Sequence, residues 1–138
     1  MAQFLEFVGS HPILVGAFVA LLAAFVLNET RRGGRTVSAQ ELVNLVNRDR
    51  AVVLDVRDRK EFQAGHVTSA INIPFPTLEK RLEELAPHKE RTVVVVCRMG
   101  QQAGAAGTLL RRAGFQDVAR LSGGMMAWRS ASLPVVKA

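Results

Sequence analysis

The sequence predicts an α/β domain with a mostly parallel central sheet flanked by helices, preceded by one transmembrane helix. Three observations carry this prediction: an apolar segment near the start, alternating strand and helix patterns after it, and the nearly continuous apolar character of two strands. Strands that alternate with helices indicate a parallel sheet, and strands covered on both faces form continuous apolar runs. The 138 residues allow one such domain and a short appendage.

The first element is the apolar segment 8–27, which is uninterrupted over 13–27. Twenty helical residues are about 30 Å long, the thickness of the hydrocarbon core of a bilayer. A signal peptide would need basic residues before the apolar run, where the chain carries Glu6. A core or interfacial helix would show a polar or charged face. We therefore predict a short tail over 1–9, a transmembrane helix over 10–28 with Ser10 as N-cap, and a flexible linker over 29–36.

The charges beside this segment predict its orientation. Arg31, Arg32 and Arg35 come after the segment, and no Lys or Arg precedes it. The positive-inside rule then predicts a single-pass protein of the inner or plasma membrane, with its N-terminus outside and its C-terminal domain in the cytoplasm. The lipid bilayer is thus one expected partner. Small residues at every fourth position from Gly16 to Ala24 allow a membrane-protein partner through the helix.

The α/β domain is predicted over 37–138. Ser38 and Glu41 form a capping box before a helix with apolar residues at helical spacing. Strands are predicted at 51–56, 70–73, 92–96 and 117–121, and β-branched residues fill the third of them. Further helices are predicted at 58–64, around 78–85, at 102–113 before Gly114, and at 125–130 after a turn of Gly123 and Gly124.

The segment 92–113 carries the candidate nucleophile. Cys97 ends the strongest predicted strand, and a short loop with Gly100 leads to a helix that begins near Gln102. Ligands of open α/β sheets bind beyond the carboxyl ends of the strands. The N–H groups of such a loop and helix start favour an anion there, such as a thiolate or a persulfide. A structural cysteine at the end of a core strand is the alternative interpretation.

Composition excludes several other classes of function. The formal charge is +6, but the basic residues are dispersed among carboxylates such as Glu79 and Glu83, so no nucleic-acid partner is expected. A single cysteine excludes an internal disulfide. No second Cys or His lies at metal-ligand spacing, so neither a metal nor a separate cofactor is expected.

Three segments of the chain, one beginning with Asp55 and Arg57, one with Cys97 and one with Leu121, together resemble the rhodanese family. Cys97, in the run CRMGQQA, matches the active-site cysteine that opens a loop after a strand. The family's first signature, D-x-R followed by E-F-x-x-G-H and a hydrophobic-Pro pair, is met by Asp55, Arg57, Glu61, Phe62, Gly65, His66, Val67, Ala70, Ile73 and Pro74. Its closing pattern is met by Leu121, Gly123, Gly124 and Trp128. These segments cover the chain from residue 37 to about residue 134.

The resemblance implies a rhodanese-like three-layer fold and a cycle of sulfur transfer. Cys97 would be the catalytic nucleophile, carrying a sulfane sulfur as a covalent persulfide from a donor to a thiophilic acceptor. The implied partners are a small sulfur donor or persulfide-bearing protein and a thiol acceptor. The substrate-binding cradle implied by the family consists of Arg98, Met99, Gly100, Gln101 and Gln102.

The loop departs from the family pattern in one respect. Many single-domain members carry Arg followed by Ser where this chain has Gln102 and Ala103. Loss of that cation disfavours an anionic donor such as thiosulfate, although Arg98 remains beside the nucleophile. The resemblance also places His66 at a turn, which we interpret as structural, and we expect Asp55 and Arg57 to form framework hydrogen bonds or an ion pair.

The function expected from the sequence is a membrane-anchored sulfurtransferase or persulfide carrier. The alternative is a membrane-associated interaction or regulatory module that keeps the rhodanese fold as a scaffold with little catalysis. A phosphatase of related fold is a third possibility. The short loop disfavours it, because Gln102 stands where an Arg would clamp the phosphate.

Overall fold

The computed structural model describes residues 1–33 and 35–137, without the side chains of 29–33 and 101. The chain divides into two compact units, Met1–Arg32 and Gly33–Ala138. The N-terminal unit contains the apolar segment, and the C-terminal unit contains Cys97.

The N-terminal unit consists of two helices, α1 (Ala2–Ser10) and α2 (Pro12–Gly33), whose directions differ by 95°. Residues 2–9 of the predicted tail over 1–9 belong to α1. Ser10 does not cap a helix start; its hydroxyl donates to the carbonyl of Glu6 at the end of α1 (2.6 Å). Pro12 explains the break, because it has no N–H to continue α1 and suits the first position of α2.

The single transmembrane helix predicted over 10–28 is not supported. Among the described residues no one helix is long and apolar enough to cross a bilayer. The bent pair Ala2–Ser10 and Pro12–Asn28 meets the requirements of length and composition together. Large apolar side chains on both helices are exposed in the structure: Phe4, Leu5, Phe7, Ile13, Leu14, Phe18, Val19, Leu21, Leu22, Phe25, Val26 and Leu27.

The flexible linker predicted over 29–36 is also wrong. Helix α2 continues to Gly33, and strand β1 (Arg35–Val37) begins two residues later. Gly34 lies outside the described residues. Thr36 and Val37 are β-branched, and Val37 is buried in the core, so the segment is suited to a strand.

The C-terminal unit is built on a five-stranded sheet, as predicted for an α/β domain. The remaining strands are β2 (Ala51–Asp55), β3 (Ile71–Asn72), β4 (Thr92–Val96) and β5 (Val118–Leu121). Their order is β1-β5-β4-β2-β3, and all four pairings are parallel. The most buried strands are β2 and β4, which lie next to each other and correspond to the continuous apolar runs of the sequence.

Helices cover both faces of this sheet. They are α3 (Ala39–Asn47), α4 (Arg59–Ala64), α5 (Phe75–Leu78) with a 3₁₀ segment directly after it (Glu79–His88), α6 (Gln101–Arg112) and α7 (Gly124–Ser130). Residues of β4 alternate between two apolar clusters: Val94 packs with α3 and α7, and Val95 packs with α5, the 3₁₀ segment and α6. The N-cap half of the predicted capping box is confirmed, since Ser38 Oγ accepts the N–H of Glu41 (3.1 Å), and Glu41 Oε1 accepts from the Ser38 hydroxyl (3.3 Å).

The amphipathic helix predicted around 78–85 differs from the structure. A short α-helix gives way there to the 3₁₀ segment, with non-helical torsion angles at Arg81 and with Pro87 inside. Leu78 and Leu85 are nevertheless buried, as the pattern requires.

Candidate active site

The strand order places the site between β2 and β4. The chain leaves β2 towards β3 on one side and leaves β4 towards β5 on the other, so the carboxyl ends of β2 and β4 form a topological switch point. Crevices at such points bind ligands in open α/β sheets. The N–H of Val56 donates to the carbonyl of Val96 (3.0 Å), and this bond brings the segments after the two strands together. These segments contain Arg57 and Cys97.

Cys97 begins the loop 97–102, here called the sulfur loop. Its side chain is 2 % exposed, and its Sγ accepts the N–H of Gly100 at 2.8 Å. Gly100 has φ +98° and precedes α6, a left-handed conformation that glycine adopts at little cost. The sulfur therefore lies at the N-terminus of a 12-residue helix, where the N–H groups and the helix dipole favour negative charge.

The N-terminus of α7 holds the sulfur loop from the other side. The N–H of Met125 donates to the carbonyl of Cys97 (2.9 Å), and that of Met126 donates to the carbonyl of Arg98 (3.1 Å). Gly124 permits this approach: a Cβ there would overlap the carbonyl oxygen of Cys97 and lie 2.8 Å from the carbonyl carbon of Arg98. The sequence indicated only a turn at this glycine.

Beside Cys97 is a pocket of about 260 Å³, here called the sulfur pocket. Of the predicted cradle, Arg98, Met99 and Gln102 line it together with Cys97. Gly100 contributes its N–H, and Gln101 begins α6 while its side chain lies outside the described residues. The other lining residues are Arg57, Asp58 and Glu61.

The guanidinium of Arg98, next to Cys97 in the chain, forms an ion pair with a carboxylate. Arg98 Nε donates to Glu61 Oε2 at 3.1 Å, with the arginine side chain 69 % exposed. Asp58 adds a second carboxylate to the lining of the pocket. Neither Asp58 nor Glu61 is expected near Cys97 from the sequence motifs. The sequence gives one indirect signal for their position near Cys97. It predicts β2 and β4 as buried parallel strands, and the carboxyl ends of two adjacent parallel strands lie side by side.

Asp55 and Arg57 form the framework ion pair expected from the sequence. Arg57 Nε donates to both carboxylate oxygens (3.0 and 3.1 Å), and Nη2 donates to Oδ2 (2.8 Å) and to the carbonyl of Gly65 (2.7 Å). Asp55 is fully buried and Arg57 is 5 % exposed. The pair thus joins the end of β2 to the end of α4, and Arg57 forms a wall of the sulfur pocket.

His66 takes the structural place expected for it. Its Nδ1 lies 2.7 Å from the carbonyl oxygen of Phe62, and its ring stacks on Phe62 with centroids 3.7 Å apart. Its backbone pairs with Val136. In the described part of the chain, no group of three or more His, Cys, Asp or Glu side chains is placed to hold a metal ion.

Known proteins share both the sequence and the fold of the C-terminal unit. Residues 38–131 match the family model described as Rhodanese-like domain. Uncharacterized protein YibN of Escherichia coli strain K12 is 34 % identical over 141 residues, which cover 99 % of each chain. A rhodanese-related protein from Thermoplasma volcanium has a TM-score of 0.67 and 28 % identity, with 74 % of this chain and 97 % of that chain covered.

A thiosulfate sulfurtransferase from Pseudomonas aeruginosa is also similar in structure. It has a TM-score of 0.68 and 29 % identity, and the match covers 80 % of this chain and 22 % of that chain. The match to the family model spans more than half of the present chain and includes the strand, the sulfur loop and the helix around Cys97. The chain therefore belongs to the rhodanese-like domain family.

Proposed function

We propose that the protein is a membrane-attached sulfurtransferase that carries sulfane sulfur on Cys97. The proposal rests on the surroundings of the Cys97 sulfur. Cys97 Sγ accepts the N–H of Gly100 at 2.8 Å, and Cys97 lines a pocket together with Arg57 and Arg98. A persulfide on Cys97 is an anion, and N–H donors and guanidinium groups stabilise such charge. The similarity to a thiosulfate sulfurtransferase supports the same chemistry.

The cycle has two displacement steps. The Cys97 thiolate attacks the sulfane sulfur of the donor and forms an S–S bond. The donor's own bond to that sulfur breaks, and the remainder leaves with the electron pair, as sulfite from thiosulfate or as a thiolate from a persulfide. An acceptor thiolate then attacks the outer sulfur of the Cys97 persulfide, which restores the Cys97 thiolate.

The charges of the sulfur pocket favour a persulfide donor over thiosulfate. Arg98 is paired with Glu61, Asp58 adds another carboxylate, and Gln102 is neutral where many single-domain members of the family carry Arg. A dianion such as thiosulfate meets more repulsion here than a donor with one charge. Met99, which is 51 % exposed at the pocket, offers an apolar contact for a persulfide-bearing peptide or protein.

Cys97→Ser is expected to abolish sulfur loading. Because Cys97 is the only cysteine, mass spectrometry of the intact chain after incubation with thiosulfate or with 2-mercaptoethanol persulfide, which carries one charge, reports loading at one site. The wild type should gain one sulfur, more readily from the persulfide, and should lose it to an added thiol. The variant should gain none while its urea unfolding midpoint stays close to that of the wild type.

The alternative, a regulatory module that uses the fold as a scaffold, predicts a different result. In that case no donor loads wild-type Cys97, and Cys97→Ser fully replaces the wild type in a complementation assay. Either finding contradicts the sulfurtransferase proposal.

We further propose that α1 and α2 attach the protein to the inner or plasma membrane, with the rhodanese unit in the cytoplasm. The segment Pro12–Asn28 has 17 residues and is about 25 Å long as a helix. A 95° bend between α1 and α2 suits one helix lying along the membrane surface and one entering the bilayer. The arginines at 31, 32 and 35 favour the cytoplasmic side for the C-terminal unit. Reduced thiol acceptors are available in that compartment.

Replacing Leu21 and Leu22 together with arginine is expected to release the chain from membranes. Both side chains are exposed in the middle of the apolar stretch of α2, and each arginine near the centre of a bilayer costs roughly 2.5–3.5 kcal/mol on insertion scales. The measurement is the fraction retained in membrane pellets after alkaline carbonate washing. The matched Leu21→Ala/Leu22→Ala variant should stay in the pellet. Equal retention of both variants would refute attachment through α2.

A further inference from the structure

A second cavity lies behind the sulfur loop, and the proposed sulfur transfer does not use it. This cavity, here called the Arg120 cavity, has a volume of about 300 Å³. It shares Met99 with the sulfur pocket, but Cys97 does not line it. Its lining consists of Thr36, Met99, Gly100, Arg120, Leu121, Ser122 and Gly123.

Among the described residues that form this lining, Arg120 is the only charged one. It lies on β5 and is partly buried, and its Nε is buried without a hydrogen-bond partner. None of the ion pairs formed by the described residues includes Arg120. Buried polar atoms of native proteins are nearly always paired, and burial of an Nε–H without an acceptor is destabilising. Arg120 lines the cavity without an anionic partner among the described residues, so its charge is open to an anion there.

The fold makes room for this guanidinium beside the start of α6. Val118 lies two residues before Arg120 on the same face of β5, and it packs with α6. A Cβ at Gly104, within α6, would lie 3.3 Å from Arg120 Nη1. Glycine is unfavourable in the interior of a helix, but here it leaves space for the arginine. The positive end of the α6 dipole is close by and raises the local potential further.

The rest of the lining suits an oxygen-rich anion. Thr36 and Ser122 have hydroxyl groups, and none of the lining residues that the structure describes carries a carboxylate. Thr36 is the residue opposite Arg120 in the pairing of β1 with β5, so the two side chains are on the same face of the sheet. A cation with hydroxyl donors is the chemistry that recognises sulfate-like and phosphate-like groups.

From these observations we propose that the Arg120 cavity binds a small free oxyanion of the sulfate, sulfite or phosphate type. Met99 and Gly100 separate this site from the sulfur pocket, and Gly100 supplies the N–H that bonds to Cys97 Sγ. A bound oxyanion would therefore stabilise the sulfur loop from behind. Binding at Arg120 requires neither a sulfur donor nor turnover, so it can be tested apart from the proposed sulfur transfer.

The test is thermal unfolding of the full chain in a non-ionic, phosphate-free detergent. Trp128, the only tryptophan and 3 % exposed, reports on the C-terminal unit by its fluorescence. Sulfate or inorganic phosphate is titrated against chloride at matched ionic strength, so that general screening is equal. At about ten times the dissociation constant, the wild type should gain about 5 °C in Tm over chloride.

Variants locate the binding site. Arg120→Met should lose the gain in Tm, and Arg120→Lys should keep part of it because the charge remains. Gly104→Ala should weaken the response by crowding Nη1, although alanine itself favours the helix. Arg98→Met, in the sulfur pocket, and Arg112→Met, at the exposed end of α6, should respond like the wild type.

Two outcomes overturn the proposal. One is a response of Arg120→Met or Arg98→Met that differs from the expected one. An equal gain in Tm for the wild type and Arg120→Met would show that the anion does not bind at Arg120, and loss of the gain in Arg98→Met would place the anion in the sulfur pocket. The other is stabilisation by phosphocholine micelles without any response to free sulfate or phosphate. That result would identify a lipid headgroup instead of a free oxyanion.

Discussion

Gly124→Ala is expected to destabilise the C-terminal unit by about 3 kcal/mol or more and to prevent sulfur loading of Cys97. Gly124 has φ +59°, and an added Cβ would overlap the carbonyl oxygen of Cys97 and approach Arg98 to 2.8 Å. The neighbouring atoms belong to backbone and cannot rotate away. The sulfur loop would have to separate from α7, with the loss of the hydrogen bonds from Met125 and Met126. Urea unfolding monitored by circular dichroism measures the change.

Gly114→Ala is the matched control for this substitution. Gly114 also has a positive φ, +98°, but an added Cβ there would meet only the flexible end of Lys89, 3.9 Å away. The control therefore carries the cost of the left-handed conformation without a backbone clash, about 1–2 kcal/mol. If the two variants lose equal stability and Gly124→Ala still loads sulfur, the close approach of α7 does not determine the shape of the sulfur loop.

Most of the α/β unit could be predicted because its signals are local. The run 92–96 is β-branched and apolar, so both its strand conformation and its burial are expected from composition. Gly114 marks the end of α6, and Ser38 with Glu41 marks the start of α3. Cys97 could be assigned to the carboxyl edge of the sheet because a strand, a loop and a helix succeed one another in the sequence around it.

Contacts between distant segments could not be predicted in the same way. Arg98 pairs with Glu61, which is 37 residues away, and no local pattern indicates that partner. The overlap that restricts position 124 to glycine involves the backbone of Cys97 and likewise depends on tertiary packing.

The N-terminal bend shows a different limit of prediction from sequence. Hydropathy measures the length of an apolar segment but not the direction of its axis. Pro12 is suited to the first turn of a helix, and it does begin α2. The same missing N–H also ends a preceding helix. That helix, α1, could not be predicted because its residues are few and mixed in polarity.

Arg57→Met is expected to destabilise the C-terminal unit by about 3–5 kcal/mol. The substitution removes a guanidinium that donates to both oxygens of Asp55 and to the carbonyl of Gly65. Asp55 is fully buried, so its carboxylate would be left without a counter-ion and without water. Methionine fills much of the volume but supplies no donor. The free energy of unfolding in urea gives the magnitude.

Arg81→Met is the matched comparison, because it removes the same side chain from an exposed ion pair. Arg81 and Glu84 form a bidentate pair in which both side chains are 40 % exposed or more, and such exposed pairs contribute little to the free energy of unfolding because water screens them. The double variant Asp55→Asn/Arg57→Met should recover part of the loss, since it removes the buried charge with its partner. Equal losses for Arg57→Met and Arg81→Met, with no recovery in the double variant, would show that the Asp55–Arg57 pair does not join β2 to α4. In that case the wall of the sulfur pocket must be maintained by the apolar packing of the strands alone.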